Sequence, residues 1–199
     1  MTAISEGSSS VEFNINGLLI SEEKIDIDIT KLKLMKQPNS NNRYCYCLDS
    51  DTKIRMRKII ESYYADIREY FDDDFIDFKL ILGFITVNST DGVNGVCLHR
   101  DISDYTFNVY LNDNYEGGAL TFVGKTDKIN KKYKKICSKI DNNYSMYIKP
   151  EKYKSILHRG YNAHQVEKVT SGTRYNLILW CKENEESDAF IDQYKDFII

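Results

Sequence analysis

Apolar positions change their spacing along this chain of 199 residues. The first ten residues, MTAISEGSSS, are small and polar without periodicity and are expected to be disordered. Val11 to Leu34 holds alternating apolar positions, as in Lys24-Ile25-Asp26-Ile27-Asp28-Ile29, which predicts a strand. Gln37-Pro38-Asn39-Ser40-Asn41-Asn42 predicts a loop, and Arg43 to Leu48 a short strand. The spacing then switches. Ile54, Ile59, Ile60, Tyr63, Tyr64, Ile67, Tyr70 and Phe71 recur at three and four, which predicts one helix from Asp51 to Phe71. Ser50 or Asp51 is its expected N-cap. Asp72-Asp73-Asp74 reads as a solvated turn.

From Phe78 onward the pattern is that of strands. They are expected over Lys79 to Val87, Val96 to Arg100, Tyr105 to Leu111, Ala119 to Val123, Tyr144 to Ile148 and Tyr153 to Leu157. Turns separate them at Asn88 to Gly95, Asn112-Asp113-Asn114 and Lys149-Pro150-Glu151. Val166 to Val169 and Arg174 to Cys181 flank Thr170-Ser171-Gly172-Thr173 and predict a hairpin. Glu186 to Phe197 predicts a short amphipathic helix. One helix followed by many short strands points to a mainly β sandwich or open barrel with flanking helices. A single domain is expected over residues 11–199, with N-terminal strands and a supporting helix (11–75), a β core (76–182) and a C-terminal helix (183–199).

Composition narrows the function classes. The net charge of −3, from 27 Lys+Arg against 30 Asp+Glu, disfavours a nucleic-acid backbone as the main partner. The lysines between Lys125 and Lys139 read as a solvated insertion, offset by Asp127 and Asp141. Five cysteines, an odd number without close regular spacing, are expected to be reduced thiols. Cys45-Tyr46-Cys47 reads as a strand with both thiols on one face. No signal peptide or membrane-length apolar run is seen, so a cytoplasmic location is the default. Asn88-Ser89-Thr90 and Asn143-Tyr144-Ser145 are sequons only in a secreted chain.

The candidate chemistry lies in His99-Arg100-Asp101. On a strand, residues i and i+2 share a face, so an imidazole and a carboxylate are delivered to one point while Arg100 faces away. Two imidazoles and one carboxylate hold non-haem Fe(II) with coordination positions left open. Of the three histidines in the chain, His158 and His164 remain as the third ligand. An H-x-D triplet alone is a weak signal. The order H-x-D, strands, His, turn, Arg174 is far more specific.

These residues carry a resemblance. His99 through Asn112 (HRDISDYTFNVYLN), Tyr115 through Phe122 (YEGGALTF), and His158-Arg159-Gly160 through His164 to Thr170-Ser171-Gly172-Thr173-Arg174-Tyr175-Asn176 resemble the Fe(II)- and 2-oxoglutarate-dependent oxygenases. The similarity is to the branch of prolyl 4-hydroxylases and procollagen lysyl hydroxylases, and it runs from about Leu80 to Trp180. It implies a double-stranded β-helix (jelly roll). It implies His99, Asp101 and His164 as iron ligands and catalytic residues, with His158 as the second, non-ligating histidine. It further implies Arg174 on the distal carboxylate of 2-oxoglutarate, with Asn108 as a second contact to that cosubstrate. The implied cofactors are Fe(II), 2-oxoglutarate, O2 and ascorbate, and the implied reaction releases succinate and CO2.

The implied substrate is a prolyl or lysyl side chain of a protein or peptide. Alternatives are a small molecule, a modified nucleobase, or an inactive metal-binding jelly-roll module. A zinc hydrolase is a further alternative, and it would have no need for Arg174. Nucleic-acid demethylases of this fold carry a second Arg where this chain has Trp180. Two departures stand out. Val87 and Asn88 lie where the family places a Tyr that reaches the cosubstrate, and the Lys-rich insertion is not a family motif.

Overall fold

The computed structural model describes residues 12–13, 17–38, 40, 43–71, 77–124 and 145–199. Residues 1–10, Asp72-Asp73-Asp74, the Lys125 to Lys139 stretch, Cys137 and Asn143 lie outside them. An eight-stranded antiparallel sheet dominates. Its spatial order is β1 (Glu12–Phe13), β2 (Leu18–Glu22), β11 (Lys154–Arg159), β7 (Tyr105–Tyr110), β14 (Thr173–Lys182), β5 (Leu80–Ser89), β4 (Tyr44–Cys47) and β3 (Lys33–Lys36). Facing it is a four-stranded sheet ordered β10 (Ser145–Ile148), β9 (Leu120–Val123), β12 (His164–Val166) and β6 (Val96–His99). A two-stranded ladder joins β13 (Val169–Ser171) to β8 (Glu116–Gly117). This is the expected double-stranded β-helix.

Strand parity decides which side chains meet. Along β14, Leu177, Leu179 and Cys181 join Met56, Ile60 and Ile67 in a core beneath the helices α1 (Ser50–Ser62) and α2 (Tyr64–Tyr70). The alternate residues Arg174, Asn176, Ile178 and Trp180 take the other face. Phe107 and Val109 of β7 go to the helix side, and Tyr110 packs with Leu120 and Phe122 of the smaller sheet. One face is thus a dry helix-on-sheet core, and the other can hold a site.

Four expectations need correction. The single helix is broken at Tyr63, whose backbone sits at φ −87°, ψ 0°, and Asp49 rather than Ser50 or Asp51 is the N-cap, accepting from the Thr52 N–H at 2.8 Å. The break lets the Tyr63 phenol bond to Ser21 and Glu23 on the strand side, where Ser21 also bonds Ser155 at 2.8 Å. The alternation over Lys24 to Ile29 forms no strand. Ile25 docks under the helices, and the Asp26 carbonyl accepts from Arg55 at 3.2 Å in place of a ladder partner. Nor is there a hairpin at Thr170 to Thr173. The chain crosses there from one sheet to another, because β13 pairs with β8 whereas β14 pairs with β5 and β7. Gly172, at φ 77°, makes that crossing.

Other expectations hold. Cys45 and Cys47 share a buried face with Phe84, Tyr194 and Phe197. The described cysteines Cys45, Cys47, Cys97 and Cys181 are free thiols. The C-terminal helix α3 (Asp188–Tyr194) is capped by Ser187. Among the described residues no helix is long and apolar enough to cross a membrane.

Burial raises the Glu23 carboxyl above its ordinary range, against the opposing hydrogen bond from Tyr63. A carboxyl raised on folding adds stability below its unfolded pKa and loses that contribution as pH climbs through the folded value. Glu23→Gln, which keeps an acceptor for Tyr63, should therefore gain stability relative to the parent as pH rises from about 4 to about 7. Parallel melting curves across that range check the sign.

Candidate metal centre

The smaller sheet sets the two imidazoles side by side. Strands β6 and β12 are antiparallel neighbours, and His99 stands directly opposite His164 in their register. Their ring centroids are 4.3 Å apart. The strand carrying His99 ends at that residue, so Asp101 is placed by the following bend rather than by strand parity. Its N–H donates to the Gly160 carbonyl at 2.8 Å. A Cβ on Gly160 would lie 1.9 Å from the Ser103 carbonyl oxygen, so only glycine permits this close approach of the two segments.

Hydrogen bonding fixes the tautomers. His99 Nδ1 bonds the Cys97 carbonyl and His164 Nδ1 the Asn162 carbonyl, each at 2.8 Å. A carbonyl only accepts, so each Nδ1 carries a proton, and in the neutral ring each Nε2 presents a lone pair. Those lone pairs face one carboxylate. His99 Nε2 is 3.6 Å from Asp101 Oδ1, and His164 Nε2 is 3.7 Å from Oδ2. The ligand atoms of His99, Asp101 and His164 all lie within 4.8 Å of one another. Three electron-pair donors converging without a proton between them repel, and a cation turns that repulsion into attraction. The donor set thus fits a divalent metal. Burial pushes His164 below the ordinary imidazole value, which keeps it neutral and able to ligate.

His158 is not one of the converging groups. Its Nδ1 bonds the Arg159 carbonyl at 2.8 Å, and its ring packs on those of Phe122 and His164 at 4.8 and 4.9 Å. Full burial drives its pKa down to about 3. Arg100 turns away, donating to the Tyr161 carbonyl at 2.9 Å.

Arg174 lines the same cavity, an open space of about 630 Å³ that Asn108, His99, Asp101 and His164 also line. It is 1% exposed. One guanidinium nitrogen donates to Asn88 Oδ1 at 3.2 Å, while Nε and the other Nη have no hydrogen-bond partner among the described residues. The guanidinium lies 5.3 Å from the Tyr110 ring centroid. Its charge draws the Tyr110 and Tyr115 phenols down against the burial that raises both. A Cβ on Gly118 would stand 3.0 Å from the Arg174 and Tyr115 side chains, so the Gly117-Gly118 turn closes against the arginine. Buried N–H donors left open in a cavity fit an anionic ligand. Asn108 accepts from Asn176 through its oxygen, which leaves its NH2 as the group to offer.

The comparisons with known proteins bear on this centre. No family model matches the chain. It is 31% identical over 157 residues, 78% of its length, to the 2-oxoglutarate and iron-dependent oxygenase domain-containing protein CP2 of Arabidopsis thaliana. It is 32% identical over 130 residues, 63% of its length, to the protein ICU11 of the same description and organism. Both lines support the 2-oxoglutarate and iron-dependent oxygenase family. The chain spans 39% and 26% of the length of these relatives.

The oxygenase fold recurs in solved structures. The epimerase SnoN from nogalamycin biosynthesis, described as non-heme and alpha-ketoglutarate-dependent, matches with a TM-score of 0.56 and 12% identity over 89% of this chain and 85% of its own. A Trichoplax adhaerens prolyl hydroxylase in complex with a hypoxia-inducible-factor peptide matches with a TM-score of 0.54 and 14% identity over 75% of this chain and 66% of its own. At these identities the likeness is one of fold.

Three supporting residues escaped the motif reading. Asn88, expected in a turn, lies in β5 directly opposite Arg174 and is 4% exposed, which also closes it to glycosylation in the folded chain. Tyr115 comes from the loop after β7, not from the strand before H-x-D. Thr106 donates its hydroxyl to Asp101 Oδ2 at 2.6 Å. Its signal was strand parity, since it shares a face with Asn108. Removing such an outer hydrogen bond lowers metal affinity by about 10- to 100-fold. Thr106→Val should show that loss in a Mn(II) titration while its unfolding transition stays cooperative.

Proposed function

We propose that this chain is an Fe(II)- and 2-oxoglutarate-dependent dioxygenase that hydroxylates an unactivated C–H bond on a prolyl or lysyl side chain of a protein, releasing succinate and CO2. The observation that carries the reading is the sharing of one cavity by the His99, Asp101 and His164 donors and the open N–H groups of Arg174. Residues 11–199 then form one oxygenase domain. The prolyl or lysyl choice rests on the YEGG and GTRY stretches, because the fold also serves SnoN and does not choose a substrate class.

His99, Asp101 and His164 would hold iron on one side and leave its other positions open. Arg174 would take the far carboxylate of 2-oxoglutarate through two parallel N–H bonds. Asn88 fixes the remaining guanidinium nitrogen, so the fork is oriented before ligand arrives. Asn108 would add its NH2 to the cosubstrate. Phe84, Ile178 and Trp180 give the cavity an apolar wall. Bound iron, with O2 and 2-oxoglutarate, supplies the oxidising power for C–H cleavage, and ascorbate is the expected reductant for enzyme caught in uncoupled turnover.

Pro- and Lys-containing peptides incubated with Fe(II), 2-oxoglutarate and ascorbate should yield succinate and a product heavier by one oxygen, read by mass spectrometry. His99→Ala or Asp101→Ala should lose metal binding and turnover together. Arg174→Ala should keep the metal and bind 2-oxoglutarate more weakly, by on the order of 2 kcal/mol or more for a buried charge-assisted pair. Unchanged 2-oxoglutarate affinity in Arg174→Ala would refute the cosubstrate assignment.

A further inference from the structure

A second guanidinium lines the cavity from the same large sheet, on the far side of β5 from Arg174. The connection between β3 and β4 brings Gln37 and Arg43 to its lining. The Gln37 N–H donates to the Arg43 carbonyl at 2.9 Å, and the Arg43 N–H to Ser40 Oγ at 3.0 Å. These bonds hold the Arg43 backbone in place. Its side chain is half-buried, yet among the described residues it makes no hydrogen bond or ion pair. Other arginines are engaged. Arg55, Arg57, Arg100 and Arg159 donate to the carbonyls of Asp26, Ile199, Tyr161 and Phe71, and Arg174 to Asn88. Arg68 is exposed on α2.

The charges in the cavity define what Arg43 lacks. Asp101 is the one carboxylate among the described lining residues. On the reading above, divalent iron, Asp101, Arg174 and a dicarboxylate cancel one another. Arg43 is then the uncompensated charge, in a partly buried place where a pair is screened less than on open surface. A lysyl ammonium entering the same space would meet two guanidiniums. Phe84, Ile178 and Trp180 beside it favour an apolar target side chain.

We propose that Arg43 is a specificity-determining residue that binds a carboxylate of the substrate, so that the preferred substrate is an acidic peptide whose target side chain is uncharged. This rests on the oxygenase reading, and the test separates the two. Full-length protein loaded with Mn(II), which stands in for iron without turnover, is first titrated with 2-oxoglutarate. Absence of binding there fails the oxygenase reading itself. The loaded protein is then titrated calorimetrically with decapeptides that carry a central Pro flanked by Asp and Glu, by Asn and Gln, or by Lys. A parallel arm uses free cyclic monocarboxylic acids.

The acidic peptide should bind at least about five-fold tighter than its amide counterpart, the scale of one partly screened ion pair. That ratio should fall to near unity in Arg43→Ala, recover in part in Arg43→Lys, and reverse in favour of the Lys-flanked peptide in Arg43→Glu. Arg43→Gln, which keeps the polar stem, answers the same question if Arg43→Ala does not fold. Equal binding of acidic and amide peptides, or a preference that survives in Arg43→Ala, overturns the proposal. Arg43-dependent binding of the free acids in preference to the peptides overturns the peptide assignment.

Discussion

Everything in the cavity follows from holding the Asp101 carboxylate against two imidazole lone pairs. Left alone, that arrangement is repulsive, and a flexible chain would relax it. Here it cannot relax. His99 and His164 are tied by strand register, each Nδ1–H is committed to a backbone carbonyl, and Asp101 is held by the Gly160 carbonyl and the Thr106 hydroxyl. The smaller sheet places the imidazoles, and the larger sheet, through Thr106 and the turn after β11, places the acid. A donor set split between the sheets couples its geometry to their packing, so a distant repacking that moves one sheet against the other acts on the centre.

Strand parity performs the second separation. Along β14 the residues Leu177, Leu179 and Cys181 seal a helix-covered core, while Arg174, Asn176 and Trp180 alternate with them and face the other way. The antiparallel register then sets Asn88 of β5 opposite Arg174 and Asn108 of β7 opposite Ile178. Asn88, Arg174 and Asn108 are thus same-face positions on three adjacent strands of the larger sheet, backed by an apolar layer that keeps solvent out from behind.

The sequence made the site more legible than the scaffold. That His99, Asp101, His164 and Arg174 would meet could be read because the proposed pattern depends on residue type and order, which the chain displays directly. The expected helix over Asp51 to Phe71 was right in its face and wrong in its continuity. Its apolar stripe runs on through the break, which falls at Tyr63, the residue that bonds Ser21 and Glu23 across the fold. Lys24 to Ile29 alternates like a strand because Ile25 packs under the helices, but a strand also needs a ladder, and Arg55 takes the Asp26 carbonyl instead. The supposed hairpin at Thr170 to Thr173 has the local chemistry of a turn. Which sheet each flank joins is a long-range choice that no local signal carries. Thr106 and Asn88 belong to the same class, since their roles exist only once other segments arrive.

Arg174 discriminates among the readings that the metal donors alone leave open. A zinc hydrolase or an inert metal-binding module could use His99, Asp101 and His164 and would gain nothing from a buried guanidinium. Burying an ion without its counter-ion costs several kcal/mol, and a hydrophobic replacement of similar volume is commonly neutral or stabilising. Arg174 is met by an amide oxygen, two phenols and a glycine turn, and by no carboxylate among the described residues. Its fold-stabilising value is therefore poor. A dicarboxylate would complete its hydrogen bonds and neutralise its charge, and the folded state alone would present that site. Ligand binding and chain stability are then linked through one side chain, because a ligand that binds only the native state stabilises it by RT ln(1 + [L]/Kd). The unfavourable burial of Arg174 supports the proposed diacid site over either competing reading.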